Sequence, residues 1–138
     1  MQNTFSSCNH LTALPAFSTS NVTSMSYMCS YCYALTTIPQ FDTSGVTNMS
    51  GMLYGCIGIR TIPVLNTSNV TTMYNMFYGC DALTSESLNN ILQMCINATS
   101  YTNTKTLKAL GLTSTQATTC TGLSNYSAFI AAGWTTGY

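Results

Sequence analysis

Seven cysteines, eight methionines and one histidine are the side chains of this 138-residue chain that could bind metal, move electrons or attack a substrate. Cys29 and Cys32 have CxxC spacing, which serves half a zinc site or a dithiol redox pair. No second Cys or His pair accompanies them, and Cys29 falls at a position held elsewhere by Leu53 and Phe77, so it reads as a core substitution. Cys8, Cys32, Cys56 and Cys80 recur at intervals of 24 residues. That regularity favours small buried hydrophobes stacked on one another over a disulfide framework. Cys95 and Cys120 lie outside it and remain a candidate pair. His10 has no Ser or Cys nucleophile at recognisable catalytic spacing and reads as a turn residue, while Asp42, Asp81 and Glu86 are too scattered for paired-carboxylate chemistry. Neither an enzyme nor a cofactor or metal site is expected.

The elements that position these residues follow from a 24-residue pattern. It occurs as Leu11–Ala34, Leu35–Gly58 and Ile59–Ala82, which align without a gap. A period of this length signals one supersecondary unit per copy, stacked on its neighbours. In register, the first position is Leu11, Leu35, Ile59 and the fifth is Pro15, Pro39, Pro63. Val22, Val46 and Val70 share another, as do Met25, Met49, Met73 and Met28, Met52, Met76. Methionines in step with valine and leucine indicate packing rather than copper binding. Leu/Ile-Thr-x-Ile-Pro predicts a short strand ended by Pro, and Val-Thr-x-Met a second one. Asn21, Gly45 and Asn69 between them suit a left-handed corner. Met-x-x-Met-Phe-Tyr-Gly-Cys spaces its apolar residues at three and four, as one or two helical turns would, with Gly55 and Gly79 as stops. The N-terminal MQNTFSSC aligns with the second half of a copy, so the chain opens in mid-coil with Met1, Phe5 and Cys8 on an uncapped edge.

After Leu83 the period breaks. Thr84 or Ser85 can cap a helix with Leu88, Ile91, Leu92, Cys95 and Ile96 on one stripe. A polar loop at Asn97–Thr104 leads to a short helix, Lys105–Leu110, stopped by Gly111. Thr113 to Gln116 resembles a capping box, and a last helix is expected over Asn125–Ala132 with Tyr126, Phe129 and Ile130 apolar. The expected organisation is a repeat region over residues 1–83 and a helical cap over 84–138.

Composition limits the partners. Only 4% of the residues are charged and the formal net charge is zero, against about 25% charged in ordinary domains. Without a basic stripe, nucleic acid is not an expected partner. No run approaches the about 18 apolar residues of a membrane helix, so insertion is not expected either. The start lacks the basic segment and apolar stretch of a signal peptide. Near-zero net charge favours self-association. Six Asn-x-Ser/Thr sequons, at Asn21, Asn48, Asn66, Asn69, Asn97 and Asn125, read as products of the repeat's corner chemistry.

The motif Asp/Asn-Thr-Ser-Asn-Val-Thr-x-Met-x-x-Met-Phe-Tyr-Gly-Cys-x-x-Leu-Thr-x-Ile-Pro resembles the BspA-type leucine-rich-repeat surface proteins over residues 1–83. The resemblance implies a bacterial cell-surface or secreted protein that adheres to host proteins or other cells. Similar modules occur in phage-encoded proteins, where it implies a virion fibre or host attachment. The fold expected is an α+β solenoid, a leucine-rich-repeat-like right-handed coil of short strands and helical turns with a C-terminal helical cap. Its outward face should carry a hydroxyl row, Thr23, Thr47 and Thr71, beside Tyr27, Tyr31, Tyr54, Tyr74 and Tyr78. Tyrosine supplies contact area at low entropic cost, so this uncharged Thr/Tyr face is the candidate contact for a host protein or glycan. The alternative is assembly through the edge at Met1, Phe5 and Cys8 into an oligomer, fibre or virion part.

Overall fold

In the computed structural model, which describes residues 1–138, each copy lies against the next at an offset of one repeat. On one side, Thr36 N donates to Thr12 O at 3.2 Å, Arg60 N to Thr36 O at 2.9 Å and Thr84 N to Arg60 O at 3.1 Å. On another, Thr47 N donates to Thr23 O and Thr71 N to Thr47 O, at 2.9 and 2.8 Å. Between Met25 and Tyr31 the amides alternate. Met25, Tyr27, Cys29 and Tyr31 donate forward to Asn48, Ser50, Met52 and Tyr54, whereas Met28 and Cys32 close turns onto Met25 and Cys29. Met49, Gly51, Leu53 and Gly55 repeat this onto Thr72, Tyr74, Met76 and Tyr78. These backbone donors are paired without a sheet or a helix.

That overturns the expected α+β solenoid. Pairing between copies reduces to isolated parallel bridges, Ser24–Asn48, Thr37–Thr61 and Asn48–Thr72, with no strand or sheet. The Met-x-x-Met segment is a succession of turns rather than a helix, and the strand-and-turn architecture implied by the leucine-rich-repeat resemblance is absent. The cause is where the backbone turns left-handed. Positive φ falls at Asn3, Tyr27, Gly51 and Asn75, which share one repeat position, and at Ser7, Tyr31, Gly55 and Gly79, which share another. Four residues apart, these reversals stop a helix before it can propagate. Asn21, Gly45 and Asn69, expected at a left-handed corner, are not among the residues with positive φ.

The core runs through every copy. Met25, Met49, Met73, Met28, Met52, Met76, Leu35, Ile59, Val46 and Val70 are completely buried. At the N-terminal edge the same rungs are only partly covered: Met1, Phe5, Leu11, Phe17 and Val22 pack on the core with one side open, and Cys8 is exposed. Threonine supplies a second, polar ladder. Thr19 and Thr43 are buried and donate their hydroxyls to the carbonyls of Asp42 and Asn66, both at 2.8 Å, and Thr67 donates to Met94 O at 2.5 Å.

Helix begins only beyond the repeats. α1 (Ser85–Asn97) is capped by Thr84, whose hydroxyl accepts from Ser87 N, and it buries Leu88, Ile91, Leu92, Met94 and Cys95, with Ile96 only partly covered. α2 (Ser114–Cys120) carries the capping box of Thr113 and Gln116. α3 (Tyr126–Ala131) buries Phe129 but leaves Ile130 exposed, contrary to the expected apolar stripe. Lys105–Leu110 forms turns rather than the expected helix, and Thr106 bridges to Thr135. Pairing continues past Leu83: Asn75 N donates to Ala109 O and Phe77 N to Leu110 O, both at 2.9 Å, and Gln116 reaches Cys80 O. The last copy is thereby covered by its own chain. No helix is long and apolar enough to cross a membrane.

Candidate functional site

Left-handed backbone and glycine together build the tyrosine surface. Tyr27 and Tyr31 take positive φ, uncommon for bulky side chains, and their rings lie over Gly51 and Gly55 of the next copy. A Cβ at Gly51 would stand 2.3 Å from the Tyr27 ring, and one at Gly55 would stand 2.8 Å from Tyr31. Glycine at the same position in the next copy thus leaves room for each tyrosine ring where it lies. Tyr31 meets Tyr54 edge-on with centroids 5.3 Å apart, and Tyr54 stacks on Tyr78 at 4.8 Å and 15°. Tyr27 and Tyr33 flank the group, 6.3 Å from Tyr54 and Tyr31 respectively. Tyr27, Tyr31, Tyr33 and Tyr78 are 38–51% exposed, so the group forms a continuous aromatic surface rather than part of the core. Loss of water around Tyr54, and then the adjacent Tyr31 and Tyr78 phenols, raise its pKa above the ordinary phenol value. The Tyr54 phenol is therefore a neutral donor and acceptor at physiological pH.

The structure brings Tyr27, Tyr31, Tyr54 and Tyr78 together, but not Tyr74, which lines a separate groove with Thr102, Asn103 and Ala109. Tyr33 belongs to the group and was not expected there, because its repeat position is held by Ile57 and Asp81 in the other copies. The hydroxyl row is different from its expected form. Thr47 and Thr71 donate their hydroxyls to the carbonyls of Thr23 and Thr47, at 3.2 and 3.1 Å, tying copies together.

All seven cysteines are free thiols, including Cys95 and Cys120, and only Cys8 is exposed. The stacked cysteines also act as donors. Cys32 Sγ donates to Phe5 O, Cys56 Sγ to Cys29 O and Cys80 Sγ to Leu53 O, at 2.9, 3.0 and 3.2 Å. Burial pushes the Cys56 thiol up to about 12 and that of Cys120 to about 11, which suits them to packing and not to nucleophilic work.

Where the tyrosine row ends, a cleft of about 540 Å³ opens between the last repeat and the C-terminal segment. Asn75, Tyr78, Asp81, Lys108, Gly111 and Tyr138 line it. The Lys108 ammonium lies over the Tyr138 ring, 5.2 Å from its centroid, and Tyr138 donates its hydroxyl to Leu112 O. Gly111, at φ +90°, presses against the Tyr78 backbone, where a Cβ would fall 2.6 Å from Tyr78 N.

No curated protein and no solved structure matches this chain. Residues 1–110 match the model of the family described as "Mycoplasma protein of unknown function, DUF285", and the chain belongs to that family.

Proposed function

We propose that this protein is an extracellular or cell-surface adhesion module that binds a host protein or glycan through its tyrosine row. The observation that carries the reading is the contiguous set of Tyr27, Tyr31, Tyr33, Tyr54 and Tyr78, of which all but the half-buried Tyr54 are exposed, on a chain that is only 4% charged. Rigid aromatic rings bearing hydroxyls supply both contact area and hydrogen bonds, and they lose little entropy when bound. The resemblance of the repeat motif to BspA-type surface proteins supports the same reading. Binding to a host-surface fraction should change less than about twofold between about 50 and about 500 mM salt, because few charges are available to screen. A Tyr54→Ala/Tyr78→Ala double variant should lose at least about tenfold in affinity. Wild-type affinity in that folded variant would remove the row from consideration.

One observation favours assembly as a second reading. Met1, Phe5, Leu11, Phe17 and Val22 form a half-covered apolar face that another copy of the repeat would complete, in an oligomer, a fibre or a virion part. Light scattering at rising concentration tests it: growth in mass supports it, and a constant monomer mass in the folded protein rejects it.

A further inference from the structure

We propose that the cleft beyond Tyr78 is a subsite for one sugar ring of an uncharged glycan, an inference that rests on the tyrosine row being a binding surface. Within the row, Tyr54 covers one face of Tyr78, so the inner rings offer edges and hydroxyls rather than flat faces. Tyr78 ends the row and lines the cleft, where its outer side supplies apolar surface for the C–H face of a pyranose, beside a Tyr138 ring that has the Lys108 ammonium over one face. The close approach of Gly111 to the Tyr78 backbone shapes the wall between them, and any side chain there would disrupt it. The volume of about 540 Å³ falls in the range of small-molecule sites, about 300–1,000 Å³.

The polar groups select the ligand class. Asp81 can only accept, Lys108 can only donate, and the Asn75 amide can do both. That mixture matches vicinal sugar hydroxyls, each of which is donor and acceptor at once. Asp81 and Lys108 are two of only six fully charged side chains in the sequence, so their shared position in one cleft is specific chemistry in an otherwise uncharged molecule. An apolar peptide side chain would strip water from both without replacing it. A phosphorylated or sulfated ligand would gain Lys108 but meet the Asp81 carboxylate.

The test uses the full chain against an array of neutral, carboxylated and sulfated glycans, alongside a deglycosylated host-surface protein fraction. Binding to neutral glycans is expected, weakened at least about tenfold by Tyr78→Ala and by Asp81→Asn and preserved by Tyr78→Phe. Unchanged buried-tryptophan fluorescence would establish that the variants fold. Binding confined to carboxylated or sulfated glycans, or neutral-glycan binding indifferent to Asp81→Asn, overturns the proposal. Binding to the deglycosylated fraction alone, lost in the Tyr54→Ala/Tyr78→Ala variant, overturns the sugar subsite and leaves the tyrosine row standing. Binding to nothing on either surface ends both.

Discussion

Carrying the reduced protein from about pH 7.5 to about pH 9.5 ionises thiols in the unfolded chain, where their pKa is about 8.5, while the folded chain keeps them protonated. Burial, the largest cause in each case, raises Cys29, Cys56, Cys80 and Cys95, with Cys56 reaching about 12. A folded pKa above the unfolded one means that the folded state binds more protons once the pH passes about 8.5. Stability is therefore intact below that value and falls as the pH climbs toward the folded pKa. One unit above the unfolded pKa, each thiol costs about 1.4 kcal/mol, or about 6 kcal/mol for the four. That is a large share of the about 5–15 kcal/mol that holds a typical domain. Trp134, the sole tryptophan and buried, reports urea unfolding by fluorescence. The urea midpoint should fall steeply between the two pH values, and a midpoint that does not move would refute the buried-thiol reasoning.

Three further outcomes follow from the packing. Thr43→Val removes a buried hydroxyl donor to Asn66 O and should cost about 1–3 kcal/mol in urea melts, whereas Thr47→Val, at an exposed site, should cost under about 1 kcal/mol. Gly111→Ala meets both a positive φ and the Tyr78 backbone, so it should cost well over the about 1–2 kcal/mol expected at Gly133, which has positive φ but open space around it; equal thermal shifts would contradict this. A thiol-specific chromogenic reagent should find one fast-reacting group, Cys8, in the native protein and all seven after denaturation.

The 24-residue register was legible in the sequence, and with it the methionine, valine and cysteine core. Repetition places equivalent residues in equivalent environments. The Thr84 cap and the Thr113–Gln116 capping box were also legible, because caps are local hydrogen bonds written in adjacent residues. The conformation inside each copy was not. Apolar spacing of three and four fits a chain of turns as well as it fits a helix, and the two left-handed positions were masked where Tyr27, Tyr31 and Asn75 stand in place of glycine. The buried ladder of Thr19, Thr43 and Thr67 is not legible, because threonine is the same residue facing in or out and only the location of an acceptor carbonyl distinguishes the two. The tyrosine group was partly legible: register links Tyr54 with Tyr78, but the contact of Tyr31 with Tyr54 joins different repeat positions and needs the turn geometry. Asp81, Lys108 and Tyr138 converge only because residues beyond the repeats fold back over the last copy.

The most direct test of the binding claim is photochemically induced nuclear polarisation of tyrosine rings, which reports the rings that a dye can reach in solution. Free protein should give signals from Tyr27, Tyr31, Tyr33, Tyr78 and Tyr138, all exposed, together with the isolated Tyr74. On saturation with a bound host-surface protein or glycan, the signals of Tyr31 and Tyr78 should disappear while that of Tyr74 persists. Loss of Tyr74 alone, or full retention of the Tyr31 and Tyr78 signals in the saturated complex, would contradict the account.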